Sequence, residues 1–219
     1  MCGRITLRTP LTVVMEQFDA ELGSVQQWLP HFNMAPTTNV LAVRNIDGHR
    51  QLAELHWSLV PSWAESRKLQ YSTFNARAER VRTAPAFRSA YKKRRCLVLA
   101  DSYIEWKKEG KARLPTRYEV DGGKPFAIAG LWEAWHDPAD AAAPPLESCT
   151  LIITEANELA AAVHDRMPVI LDERDYHGWL AGEEIPLIPF PPERMTALEN
   201  STLINNARNQ GAEVIGPRC

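Results

Sequence analysis

Apolar positions recur along this chain in two rhythms. Leu11, Val14, Phe18 and Leu22 are three or four apart, the interval that puts side chains on one face of a short helix between Pro10 and Leu22. Elsewhere short apolar runs of strand length dominate, at 40–43, 52–57, 96–100, 103–106, 116–120, 126–131, 151–154 and 168–171. Asp47-Gly48 predicts a hairpin turn between the first two of these runs, and Asp121-Gly122-Gly123 separates 116–120 from 126–131. Asn33 to Thr38 reads as a loop, and Val60-Pro61-Ser62-Trp63 as a break. Helical turns are predicted over 76–82 and 86–91, and helices over 157–163 and 173–180, the last capped by Asp172. The proline-rich stretch 186–192 reads as irregular. Many short strands with short helices between them predict an α+β fold with a curled, barrel-like sheet. No repeat or linker divides the chain, so residues 1–219 are read as one domain.

Composition narrows the function classes. Hydrophobic residues make up 45% and charged residues 24%, as in a soluble globular protein. No apolar stretch has the length of a membrane span, and Met1-Cys2-Gly3-Arg4 opens no secretory signal, so a cytoplasmic protein is expected. The net charge of −2 excludes binding polyanions by bulk charge alone. Yet from Asn75 to Arg95 there are eight basic residues (Arg77, Arg80, Arg82, Arg88, Lys92, Lys93, Arg94, Arg95) against one acid, Glu79. Such a segment is either a nucleic-acid footprint or a solvated charged face. Four cysteines show no ligand spacing, and the histidines are scattered, so neither a metal nor a cofactor is expected. Cys96 and Cys149 sit in apolar runs and read as core thiols; Cys219 is terminal.

Cys2 differs from these by position. Its small side chain permits removal of Met1, which leaves an α-amine and a thiol on adjacent carbons. An α-amine has a reference pKa near ~7.7–8.0, so much of it is unprotonated at neutral pH. Such an amine condenses with an aldehyde, and the thiol can close on the same carbon to form a thiazolidine. Asn75-Ala76-Arg77-Ala78-Glu79 offers an amide to orient a reacting group and a guanidinium suited to phosphate, or else a helix cap with a surface ion pair; on a helical turn, 75 and 79 would share a face. Glu105, alternating with Ile104 and Trp106 in a strand, is either an acid/base aimed into a cleft or a half-exposed partner of Lys107. His164 in His164-Asp165-Arg166 suits proton transfer, with a structural loop histidine as the other reading. Of Trp57, Trp63, Trp106, Trp132 and Trp135, at least three are expected in the core, and Trp63, near Pro36 and Pro61, is the best exposed candidate for stacking on a base.

These segments, taken in order, resemble the SRAP family (SOS-response-associated peptidase). The resemblance rests on Met1-Cys2-Gly3-Arg4, Phe32-Asn33-Met34-Ala35-Pro36, Trp57 to Trp63, Asn75 to Glu79, Arg95 to Val98, Ala100-Asp101 through Glu105-Trp106, Phe126 to Trp132 and His164 to Pro168, and runs on to Asn209-Gln210-Gly211-Ala212-Glu213. It implies a single α+β domain with a pseudo-barrel sheet flanked by short helices. It also implies a protein that crosslinks covalently to abasic sites in single-stranded DNA and shields them from cleavage. Cys2 would be the nucleophile, Asn75 would orient the amino terminus and the opened sugar, Glu105 would be the acid/base and take part in removing Met1, and His164 would promote ring opening. Arg4, Arg77 and Arg166 would meet phosphates, with Asn33, Pro36 and Trp63 as further DNA contacts. No membrane, metal or cofactor is implied, a monomer is expected, and the protein would join the nucleoid only when bound to DNA. Ser58 and Ser102 stand where the family often has glycine, and Met167 where arginine is common. Two other activities fit the same residues: a cysteine peptidase acting in trans, and a non-covalent reader of modified or unpaired bases.

Overall fold

A computed structural model of the chain describes residues 2–217. Met1 and Cys219 lie outside them. The two expected rhythms become α1 (Leu11–Phe18) and a series of strands: β1 (Ile5–Leu7), β2 (His31–Met34), β3 (Asn39–Ile46), β4 (His49–Trp57), β5 (Asn75–Arg77), β6 (Arg95–Ala100), β7 (Ser102–Glu109), β8 (Ala112–Val120), β9 (Phe126–Trp135), β10 (Leu146–Glu155), β11 (Arg166–Pro168), β12 (Ile170–Leu171) and β13 (Met195–Glu199). Three more short helices intervene: α2 (Arg88–Lys93), α3 (Glu158–Ala161) and α4 (Tyr176–Ala181).

The larger sheet closes on itself. Its strands run β10-β4-β3-β6-β9, and β9 pairs again with β10, which makes a ring. Closure removes open edges and needs strong local bending. Gly130 supplies the room: it pairs with Cys96 on one side and Leu151 on the other, and a Cβ there would meet Val98 Cγ2 at 2.7 Å and Cys96 Sγ at 2.9 Å. Both faces of the ring are covered: Leu41, Val43, Leu97 and Leu99 are fully buried on one face, and Leu55, Cys149 and Leu151 on the other. The smaller sheet, β13-β8-β7-β1-β2, lays the amino-terminal strand between β7 and β2. Its backbone is stitched there by Asp101 N–H to Thr6 O (2.7 Å) and Ile104 N–H to Arg4 O (3.0 Å).

The hairpin at Asp47-Gly48 forms as expected, with φ of 52° and 88°, the left-handed pair that a two-residue turn demands. Asp172 caps the turn leading into α4 by accepting from Arg174 N–H. Other expectations are corrected. Asn33 and Met34 are not loop but the end of β2, paired with β1 through Ile5↔Met34. Asn75–Arg77 is strand rather than helix. It lies parallel to β10 with Leu151↔Asn75 and Ile153↔Arg77, and helical turns begin only at Arg77. The sequence has good helix formers, but a vacant edge beside β10 overrides that weak preference. Residues 75 and 79 therefore share no helix face.

Neither serine at a usual glycine position has positive φ. Ser102 Oγ is 2.7 Å from Thr6 Oγ1, and Ser58 Oγ is 3.1 Å from Thr73 Oγ1, so each hydroxyl is satisfied. Arg95, counted among the basic surface residues in the sequence, is buried. Its guanidinium lies 4.3 Å from the Tyr91 ring and 4.5 Å from that of Trp179, and it donates to the carbonyls of Tyr91 and Glu183. Arg95→Ala strands those acceptors and opens a cavity. Urea unfolding should show a loss of about 3 kcal/mol; a change below about 1 kcal/mol would contradict this packing role.

Candidate active site

The amino terminus enters the protein as β1 begins, which places Cys2 in the core, fully buried. Asn75, at the start of β5, donates from Nδ2 to Cys2 O at 2.8 Å. Asn75 Oδ1 is buried and accepts no hydrogen bond among the described residues. One amide thus holds the residue by its carbonyl and presents an acceptor beside it. Had 75–82 been a helix, this contact between chain segments would not form.

Glu105 is placed by strand alternation. Ile104 packs outward against Ile204 and Val214, while Glu105 faces inward and is 3% exposed. Lys107 pairs with Glu109 instead, at 3.1 Å. On the same inward face, Tyr103 stacks on its cross-strand neighbour Tyr118 at 4.8 Å. Burial, the largest influence, raises the Glu105 carboxyl from the usual 4.5 to about 7. Burial, and then the neighbouring Glu105 carboxylate, push the Cys2 thiol well above its ordinary value. The resting thiol is therefore neutral, and only a base that takes its proton would make it a thiolate.

His164 follows α3 in the turn before β11. Its Nδ1 accepts from Arg166 N–H at 3.0 Å. The same nitrogen is 3.0 Å from Asp165 Oδ1, a contact that becomes an ion pair only if Nδ1 is protonated. Burial lowers the His164 pKa, so the ring is neutral at pH 7 and Nδ1 stays an acceptor. The remaining proton sits on Nε2, which makes that atom a donor.

Glu105 and His164 line one cleft of about 440 Å3, together with Gly3, Arg4, Pro36, Phe74, Trp106, Lys108, Arg113 and Asn205. Arg4 is fixed from three sides. Nε donates to Asn33 Oδ1 at 2.8 Å, Nη1 donates to Gly3 O at 3.0 Å, and the guanidinium lies 5.7 Å from the centre of the Trp106 ring. Arg113 approaches the same ring at 5.6 Å, and Trp106 Nε1 donates to Asn205 Oδ1 at 2.6 Å. Lys108 and Arg113 face each other across the β7–β8 hairpin and were missed in the sequence, where nothing but strand register links them.

A second cleft of about 620 Å3 begins at Asn75 and runs past Arg77 and Arg80 to Trp63, Tyr71 and Phe87. Phe74 lines the first cleft and its neighbour Asn75 the second, so consecutive residues at the start of β5 serve the two. Trp63 is 58% exposed, as expected of a stacking surface. Trp57 and Trp135 are buried and Trp132 packs against the core. Arg77 and Arg166 flank β10 from opposite sides, through Ile153↔Arg77 and Glu155↔Arg166. Arg166 Nη1 donates to Glu79, a close contact that holds the Glu79 carboxyl below its usual range.

Asn33 does not belong with the exposed contacts. It is fully buried, and its amide donates to the carbonyls of Asn206 and Asn209, each at 3.0 Å, while its oxygen holds Arg4. It anchors Arg4 and the carboxy-terminal segment. Met167 is buried too, its sulfur accepting from Asn157 N–H. No cluster of metal-ligating side chains occurs among the described residues. No helix among them is long and apolar enough to cross a membrane.

Comparison with known proteins bears on this arrangement. The abasic site processing protein YoaM of Bacillus subtilis is 37% identical over 98% of this chain and 97% of its own length. The Escherichia coli abasic site processing protein YedK is 27% identical over 99% of this chain and its whole length. Among solved structures, a Bordetella bronchiseptica protein superposes with a TM-score of 0.77 at 26% identity, over 91% of this chain and all of that one. A Bacteroides thetaiotaomicron protein shares the fold over the full length of both chains, with a TM-score of 0.87 at 22% identity. The description of the SOS response associated peptidase family matches residues 1–207, a span that takes in Cys2, Asn75, Glu105, His164 and both clefts, and the chain belongs to that family.

Proposed function

We propose that this protein captures abasic sites in single-stranded DNA by forming a thiazolidine at Cys2. The observation that carries the reading is the setting of Cys2: a residue one position from the chain start, pinned by Asn75 and beside a carboxyl that burial raises to about 7. Relatives named abasic site processing proteins support the substrate class. Removal of Met1, with Glu105 assisting, turns the Cys2 nitrogen into a free amine. His164 Nε2–H donates to the sugar ring oxygen as the abasic site opens to its aldehyde. The amine adds to C1′, and the carbinolamine loses water to give an imine. Glu105 then takes the thiol proton, the sulfur attacks C1′, and the C=N bond becomes C–NH. The sum is aldehyde plus aminothiol giving thiazolidine plus one water. Without the imine, β-elimination of the strand is slowed. Arg4, Arg77 and Arg166 meet phosphates, and Pro36 and Trp63 contact bases.

Incubation with an oligonucleotide carrying an abasic site should give a heat-stable product. Its intact mass should equal protein lacking Met1 plus DNA minus one water. A protein that turns over peptides and leaves the oligonucleotide unmodified would be a peptidase acting in trans, and this reading would be wrong. Salt-sensitive binding without any covalent product would make it a reader of unpaired bases.

Glu79 gives a counterintuitive expectation. It occupies Nη1 of Arg166 and fixes the guanidinium on β11, which leaves the Nε–Nη2 edge for a phosphate. Removing an acid near a polyanion ordinarily tightens binding. Here Glu79→Gln should weaken DNA binding about fivefold, the scale of an exposed ion pair. Tighter binding, measured by fluorescence anisotropy, would mean that Glu79 competes with phosphate instead.

A further inference from the structure

The basic run in the sequence divides into two groups once folded. Arg82 pairs with Glu184, Arg94 pairs with Glu133, and Arg95 is buried. Arg77, Arg80, Arg88, Lys92 and Lys93 are exposed and form no ion pair among the described residues. These cations lie together. Arg80 lines the second cleft, none of whose lining residues is acidic. The outer wall of that cleft is the turn 84–87, which leads directly into α2. Helix α2 turns Ala90 and Tyr91 into the core, so Arg88 and Lys92, one turn apart, share its outer face. Beside the cations, Trp63 and Tyr71 are 58% and 51% exposed, and Phe87 is partly buried against the core.

Isolated exposed cations on a short helix are ordinary. Cations that share an aromatic cleft free of acids with Asn75, and others on the helix that follows its wall, make a track for a charged polymer with planar side groups. We propose that the second cleft and the outer face of α2 carry one flank of the bound DNA strand, several nucleotides from the reacting one. Bases stack on Trp63, Tyr71 and Phe87; phosphates meet Arg80, Arg88 and Lys92. This rests on the reading of the protein as a single-strand DNA binder and adds a polarity to it. The neighbours Phe74 and Asn75 line one cleft each, so a strand laid past Cys2 through both has one flank on α2 and the other beside Arg4 and Arg113.

The test compares the wild type with Arg88→Ala/Lys92→Ala. The ligands are single strands with a tetrahydrofuran residue, which has no aldehyde and cannot react, so binding is read apart from adduct formation. One ligand carries a flank of about ten nucleotides on the 5′ side, a second carries it on the 3′ side, and a third is about three nucleotides long. Affinity is measured between roughly 50 and 200 mM salt. Each lost phosphate contact lowers the slope of log affinity against log salt by about 0.7 for a single strand. The double variant should therefore lose about 1.4 in slope with one flank only, and Lys92→Gln alone about half of that. The short ligand should bind both proteins alike, and the melting temperature should not move. Equal slopes for variant and wild type on both flanks would overturn the track, as would a loss shared equally between the flanks. Failure of the wild type to form any adduct with a true abasic strand would instead overturn the covalent reading, whatever these slopes show.

Discussion

Cys2→Ser, processed to expose its amine, should form an adduct that borohydride traps and heat destroys. Serine keeps the amine that makes the imine and replaces the sulfur that closes the ring. An alcohol is a far weaker nucleophile than a thiolate, and it gives up its proton less readily than a thiol to a carboxyl near 7. The heat-stable product should fall by about 100-fold or more, on the scale of losing a nucleophile that acts as part of a unit. The persisting imine opens the β-elimination route, so strand cleavage should rise as the stable product disappears. Cys2→Ala should behave alike, because both keep the amine. Undiminished heat-stable product from either variant would remove the thiol from the mechanism.

Glu105→Gln should slow ring closure by about 100- to 1,000-fold, the usual weight of a positioned acid/base. In the wild type the base form is required, so the single-turnover rate should climb through pH 7 and level off above it. That inflection should vanish in the variant. Stability should move the other way. The folded carboxyl titrates near 7, against about 4.5 in the unfolded chain. Between those values the folded state holds a proton that the unfolded state has lost, so wild-type stability falls as pH rises through this window. Glu105→Gln carries no such penalty. Its melting temperature should exceed that of the wild type above pH 7, and the gap should close below pH 5. A variant destabilised at pH 8 would show that Glu105 holds the fold together rather than being tolerated for its chemistry.

Parts of this were legible in the sequence because they depend on local rules. The alternation of Ile104, Glu105 and Trp106 fixed which way the carboxyl points once a strand was assumed. Asp47-Gly48 specified its turn, and the barrel followed from many short apolar runs. What escaped depends on distant partners. Asn75 looked helical because its neighbours favour helix, and only the edge of β10, some 75 positions later, made it strand. The burial of Asn33 could not be read from its motif either; carbonyls from residues 206 and 209 satisfy its amide in the interior. A count of charges could not separate Arg95, held between two aromatic rings, from Arg88 on the surface.

The stitching of the first strand between β2 and β7 has one more result. A nucleophile on a mobile tail could sweep a wide volume and find aldehydes wherever they occur. Cys2, the residue proposed to react, is instead at a fixed depth, behind a rim of arginine and tryptophan, with its carbonyl held by Asn75 and the strand that follows it paired on both sides. On that proposal the lesion has to travel to it. A nucleotide still stacked in a duplex has no slack to make that journey, whereas one in an unpaired strand can swing out and reach bottom. If the proposed capture holds, discrimination between paired and unpaired DNA needs no base to be read: it is a matter of how far a sugar can lean out of its strand.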